Sequence, residues 1–412
     1  MMTRIFQRSL AAGLCAAIAL SISLHAQEFK LGSKTVQVHG FGTQGFIHTD
    51  DNNWLTMNTS KFGSGAFTDV GLNLSSQLSS QVRVAAQGYD RKLGQLGNWH
   101  PQFDFYMVDV KVKPWLGFRG GKVKTVLGLF TDTQDMDFDH TFALLPQSVY
   151  PIDMRDATIA HVGGDIYGKV KLPNKYGSLA YTAYGGHRSD SKYSGYPYLL
   201  AHVAPGVSVL LSSYSGPIWG GDLRWNAAGE LKGLTVGASR LNESIAAKGT
   251  FFGQPYWEQT NTDWTNQFYG KYAKNNLHLE SEYKREYQNK VIFDGSTWVF
   301  TDVRGWYISG GYKISKWFEA GSYYSHYRVN YDGGPLVPGG IVLENFPDPQ
   351  RRDFDKVVTG KVTFNQYLTL KVEGHFMAGN GSAESPNGFY SSVNSTIQDN
   401  TNALVVRAGF SF

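Results

Sequence analysis

The sequence predicts an all-β fold, a transmembrane antiparallel β-barrel of about 16 strands. Three observations carry this. First, 47 Gly, 24 Tyr, 25 Phe and 10 Trp stand among 412 residues, with only 14 Pro. Second, apolar residues alternate with polar ones along segment after segment, the period-2 signature of strands with one greasy face. Third, the stretch 404–412 is itself an alternating strand: Leu404, Val406, Ala408, Phe410 and Phe412 share one face, and Val405, Arg407, Gly409 and Ser411 the other. In a soluble domain such a strand would be a sticky edge, whereas a closed barrel pairs it with the first strand and removes the edge.

Residues 1–26 read as a cleaved signal peptide. Arg4 and Arg8 form the charged start, residues 10–24 the apolar stretch, and Leu24-His25-Ala26 an imperfect cleavage site. The only cysteine, Cys15, falls inside this leader, so the remaining chain has no thiol for disulfides or metal ligation. Without Arg4 and Arg8, 36 basic residues face 34 acidic ones, a balance that gives no reason to expect nucleic acid as a partner. No later segment offers the ~18 consecutive apolar residues of a helical span, but a barrel strand needs only ~9–11 residues, half of which can be polar.

Residues 27–412 read as one domain. The clearest hairpin is near the end: Val358, Gly360, Val362 and Phe364 oppose Thr359, Lys361 and Thr363; after a turn at 365–367, Leu368, Leu370, Val372 and Phe376 oppose Thr369, Lys371, Glu373 and His375. Lipid outside and water inside select such stripes. Upstream, Val70, Leu72 and Leu74 alternate with Asp69, Gly71 and Asn73, and Tyr106, Val108, Val110 and Val112 oppose Asp109, Lys111 and Lys113, with Pro114 ending the strand. Short periplasmic turns are expected near 77–80, 114–117, 173–177, 228–233, 274–276, 315–316 and 365–367. Long extracellular loops are expected near 48–66, 90–102, 129–158, 185–218, 242–263, 287–303, 330–354 and 378–402. Aromatics at strand ends, including Trp115, Phe118, Trp317, Phe318, Phe364 and Tyr367, suit interfacial girdles.

The third loop, 129–158, is unusual. It gathers Asp132, Asp135, Asp137, Asp139, Asp153 and Asp156 around an apolar middle, 142–150. The inward strand positions are mainly basic: Arg83, Lys111, Lys113, Arg119, Lys271, Lys361, Lys371 and Arg407. Two readings stand. The loop folds into the lumen as a constriction, its acids facing a basic wall across the pore and selecting polar solutes. Alternatively it is a solvated outer loop. The run Asp135-x-Asp-x-Asp139 lacks the glycine and distal glutamate of a calcium loop, so no metal or other cofactor is expected. His375 beside Glu373 and His278 beside Glu280 share strand faces, but neither pair has a nucleophile or oxyanion donor in reach, so no catalytic residues are assigned and the chain does not read as an enzyme. Loop aromatics Trp54, Trp99, Tyr256, Trp257 and Trp264 are candidates for stacking on sugars or for packing the loops together.

With its leader, its strand rhythm and its terminal Phe412, the chain resembles a Gram-negative outer-membrane porin of the 16-stranded kind. The runs Arg119-Gly-Gly-Lys122, 128–132 and 145–150 are loosely similar to a block in porin-like proteins of poorly defined substrate, over about a tenth of the chain. The resemblance implies the cell outer membrane, passive diffusion of small hydrophilic solutes or ions, a homotrimer, and the third loop as constriction. It also implies that Phe410 and Phe412 are read by the barrel-assembly machinery. An outer-membrane barrel enzyme of the protease or lipase type is the alternative.

Overall fold

The computed structural model describes residues 27–173, 176–202, 209–338, 348–381, 383–384 and 397–412. The leader expected over 1–26 lies outside them, as do parts of the loops expected at 185–218, 330–354 and 378–402. Sixteen antiparallel strands form one closed sheet: β1 (Lys34–Thr49), β2 (Ser64–Gln77), β3 (Val82–Leu93), β4 (Gln102–Lys113), β5 (Leu116–Lys124), β6 (Ala160–Lys171), β7 (Ser178–Ser189), β8 (Val209–Asn226), β9 (Leu234–Glu243), β10 (Gln254–Lys274), β11 (Leu277–Ile292), β12 (Thr297–Lys313), β13 (Phe318–Pro335), β14 (Arg352–Thr363), β15 (Leu368–Ala378) and β16 (Asn400–Ser411). Each pairs with its neighbour in sequence, and β16 returns to β1 in the register Phe41↔Ser411 to Thr49↔Ala403. Gly40 and Phe412 exchange two further backbone hydrogen bonds at this seam, of 3.2 and 2.9 Å.

Alternation fixes which face of each strand looks outward. On β16, Leu404 is 46% exposed while Val405 is fully buried. Val70, Leu72, Leu74, Val108, Phe118, Ile166, Leu223, Phe268, Ile308, Val358, Val372 and Phe376 are likewise exposed, an apolar belt around the outside. In water such a continuous surface would be an aggregation hazard; against lipid it is the surface a barrel requires. No helix among the described residues is long and apolar enough to cross a membrane, and the strands form the span.

Local chemistry places the tight turns. Ser79, Ser315 and Asn365 accept backbone N–H groups two or three residues on, as Asx- and Ser-turns do. Asn275, between β10 and β11, takes a left-handed φ of +56°, which a two-residue hairpin demands and Asn tolerates. At the other end, two expected loops are mostly strand. Within 242–263 the chain forms an additional strand, Ala246–Phe251, paired to both β8 and β10. Most of 287–303 continues β11 and β12, joined by a short turn at 293–296. These strand ends carry polar residues on both faces, such as Thr260 to Asp263 and Gln288 to Lys290, because beyond the membrane both faces meet water. The alternation that marks a strand at bilayer depth is lost there, although the hydrogen-bond ladder goes on.

Candidate functional site

The connection between β5 and β6, residues 125–159, turns into the barrel and lies along its inner wall. Entry depends on Gly128. Its φ of +70° is left-handed, and a Cβ there would collide with Gln267 and Glu282 on the far wall. The Gly128 N–H donates to Ser239 (2.9 Å), and the Leu129 N–H to Glu282 (3.0 Å). Glu282 on β11 also accepts the hydroxyls of Tyr150 (2.6 Å) and Tyr307 (2.7 Å) and the Gln267 amide (2.8 Å). A buried carboxylate with that many donors anchors both arms of the loop.

The tip of the loop is held by β13 to β16. Glu373 accepts the Ala143 N–H (2.6 Å) and the Leu144 N–H (3.2 Å). Lys371 donates to the carbonyls of Asp137 (2.5 Å) and Phe142 (3.0 Å) and is 3.0 Å from the Asp137 carboxylate. Lys361 donates to the carbonyls of Phe138 (2.7 Å) and His140 (3.0 Å). Arg407 donates to Ala143 O (2.8 Å), Thr43 (3.0 Å) and Asp69 (2.6 Å), and stands 3.3 Å from Asp137. Thr141 donates to Glu319 (2.5 Å) and meets His278 (2.8 Å). The apolar middle packs alongside: Leu144 joins Ile47, Phe67 and Val405, and Phe142 joins Tyr323 and Val357.

The returning arm is fixed by β3 to β5. Arg155 makes a two-pronged bond to Asp104 (3.0 and 2.7 Å) and lies 4.0 Å over the Tyr89 ring. Asp135 pairs with Lys124 (2.8 Å), stands 3.8 Å from Arg155 and accepts from Gln87 (2.6 Å). Burial raises the Asp135 carboxyl, but Lys124 and Arg155 outweigh it and hold the group at about 2. Asp156 pairs with Arg91 (3.0 Å). Burial brings the His140 imidazole down to about 4, so it is neutral at pH 7.

This geometry corrects the expected opposition of an acidic loop to a basic wall across water. Lys361, Lys371 and Arg407 lie beneath the loop, in contact with it, because a dry contact needs each buried charge paired. Lys271 pairs with Glu280 (3.2 Å) and Arg119 with Asp165 (2.9 Å). Arg83, Lys111 and Lys113 are exposed towards the turn end. Of the acids, Asp135 and Asp137 are buried, Asp132, Asp153 and Asp156 half-buried, and Asp139 exposed. Within the Asp135-x-Asp-x-Asp139 run Asp135 and Asp137 take different partners and Asp139 is exposed, and no group of three His, Cys, Asp or Glu among the described residues is arranged for a metal ion. Tyr256 is buried in packing and Trp264 stacks on Tyr287 on the outer face, so these two do not line the lumen, whereas Trp54, itself almost fully buried, forms part of the wall of the cavity described below.

Sequence reasoning missed the partners Asp69, Asp104, Arg155, Glu282 and Glu319. For the strand residues the one signal was inward parity, which Asp69 and Glu282 displayed; Arg155 lies in the loop itself, where parity says nothing. Beside the loop, on the side of the long connections, lies a cavity of about 460 Å³. Asp153, Glu243, Glu286, Asp353 and Asp355 line it against only Arg188 and Lys284. Arg188 pairs with Glu243, and Lys284 stands 3.6 Å from Glu286.

No protein-family model matches the chain, and no curated protein matches it in sequence. Solved structures do match in fold. An anion-selective porin from Comamonas acidovorans has a TM-score of 0.55 at 12% identity, over 92% of this chain and 100% of that one. The outer membrane channel DcaP of Acinetobacter baumannii gives 0.52 at 13%, over 94% and 100%. The outer membrane protein OmpT of Vibrio cholerae gives 0.53 at 11%, over 94% and 100%. The chain has the 16-stranded, porin-like barrel fold of outer-membrane proteins.

Proposed function

We propose that this chain is an outer-membrane porin through which small hydrophilic solutes and ions diffuse passively, with loop 125–159 as its constriction. The observation that carries this reading is a loop pinned inside a closed barrel, beside a polar cavity of about 460 Å³. A porin needs only a shaped, wetted passage. The cavity lining, richer in carboxylates than in cations, favours cations and neutral polar solutes over anions. A homotrimer is part of the proposal, since one structure of the V. cholerae protein is a trimer form. Phe410 and Phe412 are proposed as the signal for barrel insertion.

Planar-bilayer recording tests the reading. Stepwise conductance with a reversal potential favouring K⁺ over Cl⁻ is expected. Absence of current from heat-modifiable, correctly folded protein would overturn it, and anion preference would overturn the part assigned to the acidic cavity.

A further inference from the structure

Outside the barrel, near its loop end, Arg285, Arg304, Arg328 and Arg352 stand directly opposite one another on β11 to β14, in the register Arg285↔Arg304↔Arg328↔Arg352. All four point away from the lumen, with side chains 39, 51, 44 and 34% exposed. Like charges opposite each other in a sheet repel, so such a row needs counter-charge. Asp302 takes Arg285 (2.9 Å) and Arg304 (2.8 Å). Asp348 takes Arg328, Arg352 (2.9 Å) and the adjacent Arg351 (3.8 Å). Five guanidinium groups are thus paired to two carboxylates, which leaves three positive charges in surplus.

The row has a fixed height on the wall. Two residues nearer the turn end runs a parallel aromatic row, Tyr283↔Trp306↔His326↔Phe354. His326 is stacked between Trp306 (5.4 Å) and Phe354 (4.3 Å). Below that come Ile308, Tyr324 and the exposed Lys356, and one row lower Val358; Ile308 and Val358 are each more than half exposed. Aromatic rings mark the boundary between hydrocarbon and head groups, so the arginines sit just beyond it, at the level of lipid phosphates. At ~4.8 Å between strands the four span ~14 Å, wide enough for more than one phosphate, and the guanidinium fork binds phosphate oxygens in pairs.

We propose that this row is a docking site for the phosphate-bearing head group of a membrane lipid. The inference rests on the membrane placement of the barrel and not on what passes through it. Charge complementarity and the flanking aromatic row select a lipid over a free anion, since only a lipid brings acyl chains to the belt below.

The test uses the purified full-length barrel in detergent and lipid A as probe, in its diphosphorylated, monophosphorylated and dephosphorylated forms, with bound lipid counted by native mass spectrometry. Binding of the diphosphorylated form about tenfold or more above the dephosphorylated form is expected, a gap of at least about 1.4 kcal/mol. Replacing Arg304→Gln with Arg328→Gln should remove that gap while single-channel conductance stays unchanged. Lysine at the same positions should retain part of it, which separates loss of the charge from loss of the fold. Binding indifferent to phosphate overturns the proposal. So does equal competition by inorganic pyrophosphate, which identifies a free-anion site. A double variant that keeps its lipid but loses self-association overturns it as well, by making the row a contact between copies. None of these outcomes bears on the conductance that tests the porin reading.

Discussion

The inner and outer walls of this barrel both carry rows of charge, and they use them in opposite ways. Inside, Arg155 is matched to Asp104 and Asp135, Arg407 to Asp69 and Asp137, and Lys371 to Asp137 and two carbonyls. Outside, the half-exposed guanidinium groups of four strands share two aspartates. Burial makes the difference. A charge shut away from water must find its partner within the chain, whereas an exposed one can remain in surplus until something else supplies the counter-charge. Charge therefore acts as a fastener inside and as a receptor outside.

The largest effect that would break this contrast is loss of an inner partner. Asp104→Ala removes the two-pronged partner of the buried Arg155 guanidinium, leaving it only the longer contacts to Asp135 (3.8 Å) and Asp156 (3.7 Å), and is expected to cost about 3 kcal/mol, seen as a lower melting temperature and as new protease cleavage within 125–159. A retained melting temperature would show that the arginine finds water, and the inner wall would then resemble the outer. Next comes Glu373→Gln, which weakens the grip on the Ala143 and Leu144 amides by about 1.5–3 kcal/mol. Single-channel records should become noisier as the tip of the loop lifts. Third is acid. The Asp135 carboxyl is held at about 2, below the ordinary 3.8, so its stabilisation is complete above about pH 4 and is lost as pH falls through about 2. That is about 2 kcal/mol, and noise in the current should rise over the same interval and revert on neutralisation. The smallest effect is expected outside: Arg304→Gln alone should move stability by no more than about 0.5 kcal/mol and leave conductance untouched.

How much of this was legible beforehand differs with distance along the chain. Strand facing was readable because period two is local: Lys361, Lys371 and Arg407 pointed inward, and Leu404 and Val372 outward, from their immediate neighbours alone. The expected loops at 242–263 and 287–303 failed where water lies on both faces and alternation carries no signal. The fastening of the third loop was illegible for another reason. Its partners stand far away in sequence, as Leu129 does from Glu282 or Ala143 from Glu373. Nothing in the acidic run around Asp137 says which cations it will meet. A run of like charge in a loop suggested a field across water; the same residues in a dry contact became individual pairs.

Arg407 carries a consequence for the order of events during assembly. It belongs to β16, yet it holds Thr43 on β1, Asp69 on β2 and the backbone of Ala143 in the loop. Those four groups meet only after the two ends of the sheet have come together. A barrel still ajar therefore lacks this one fastening and leaves the guanidinium without its Asp69 carboxylate, so closing the seam and seating this part of the loop are coupled.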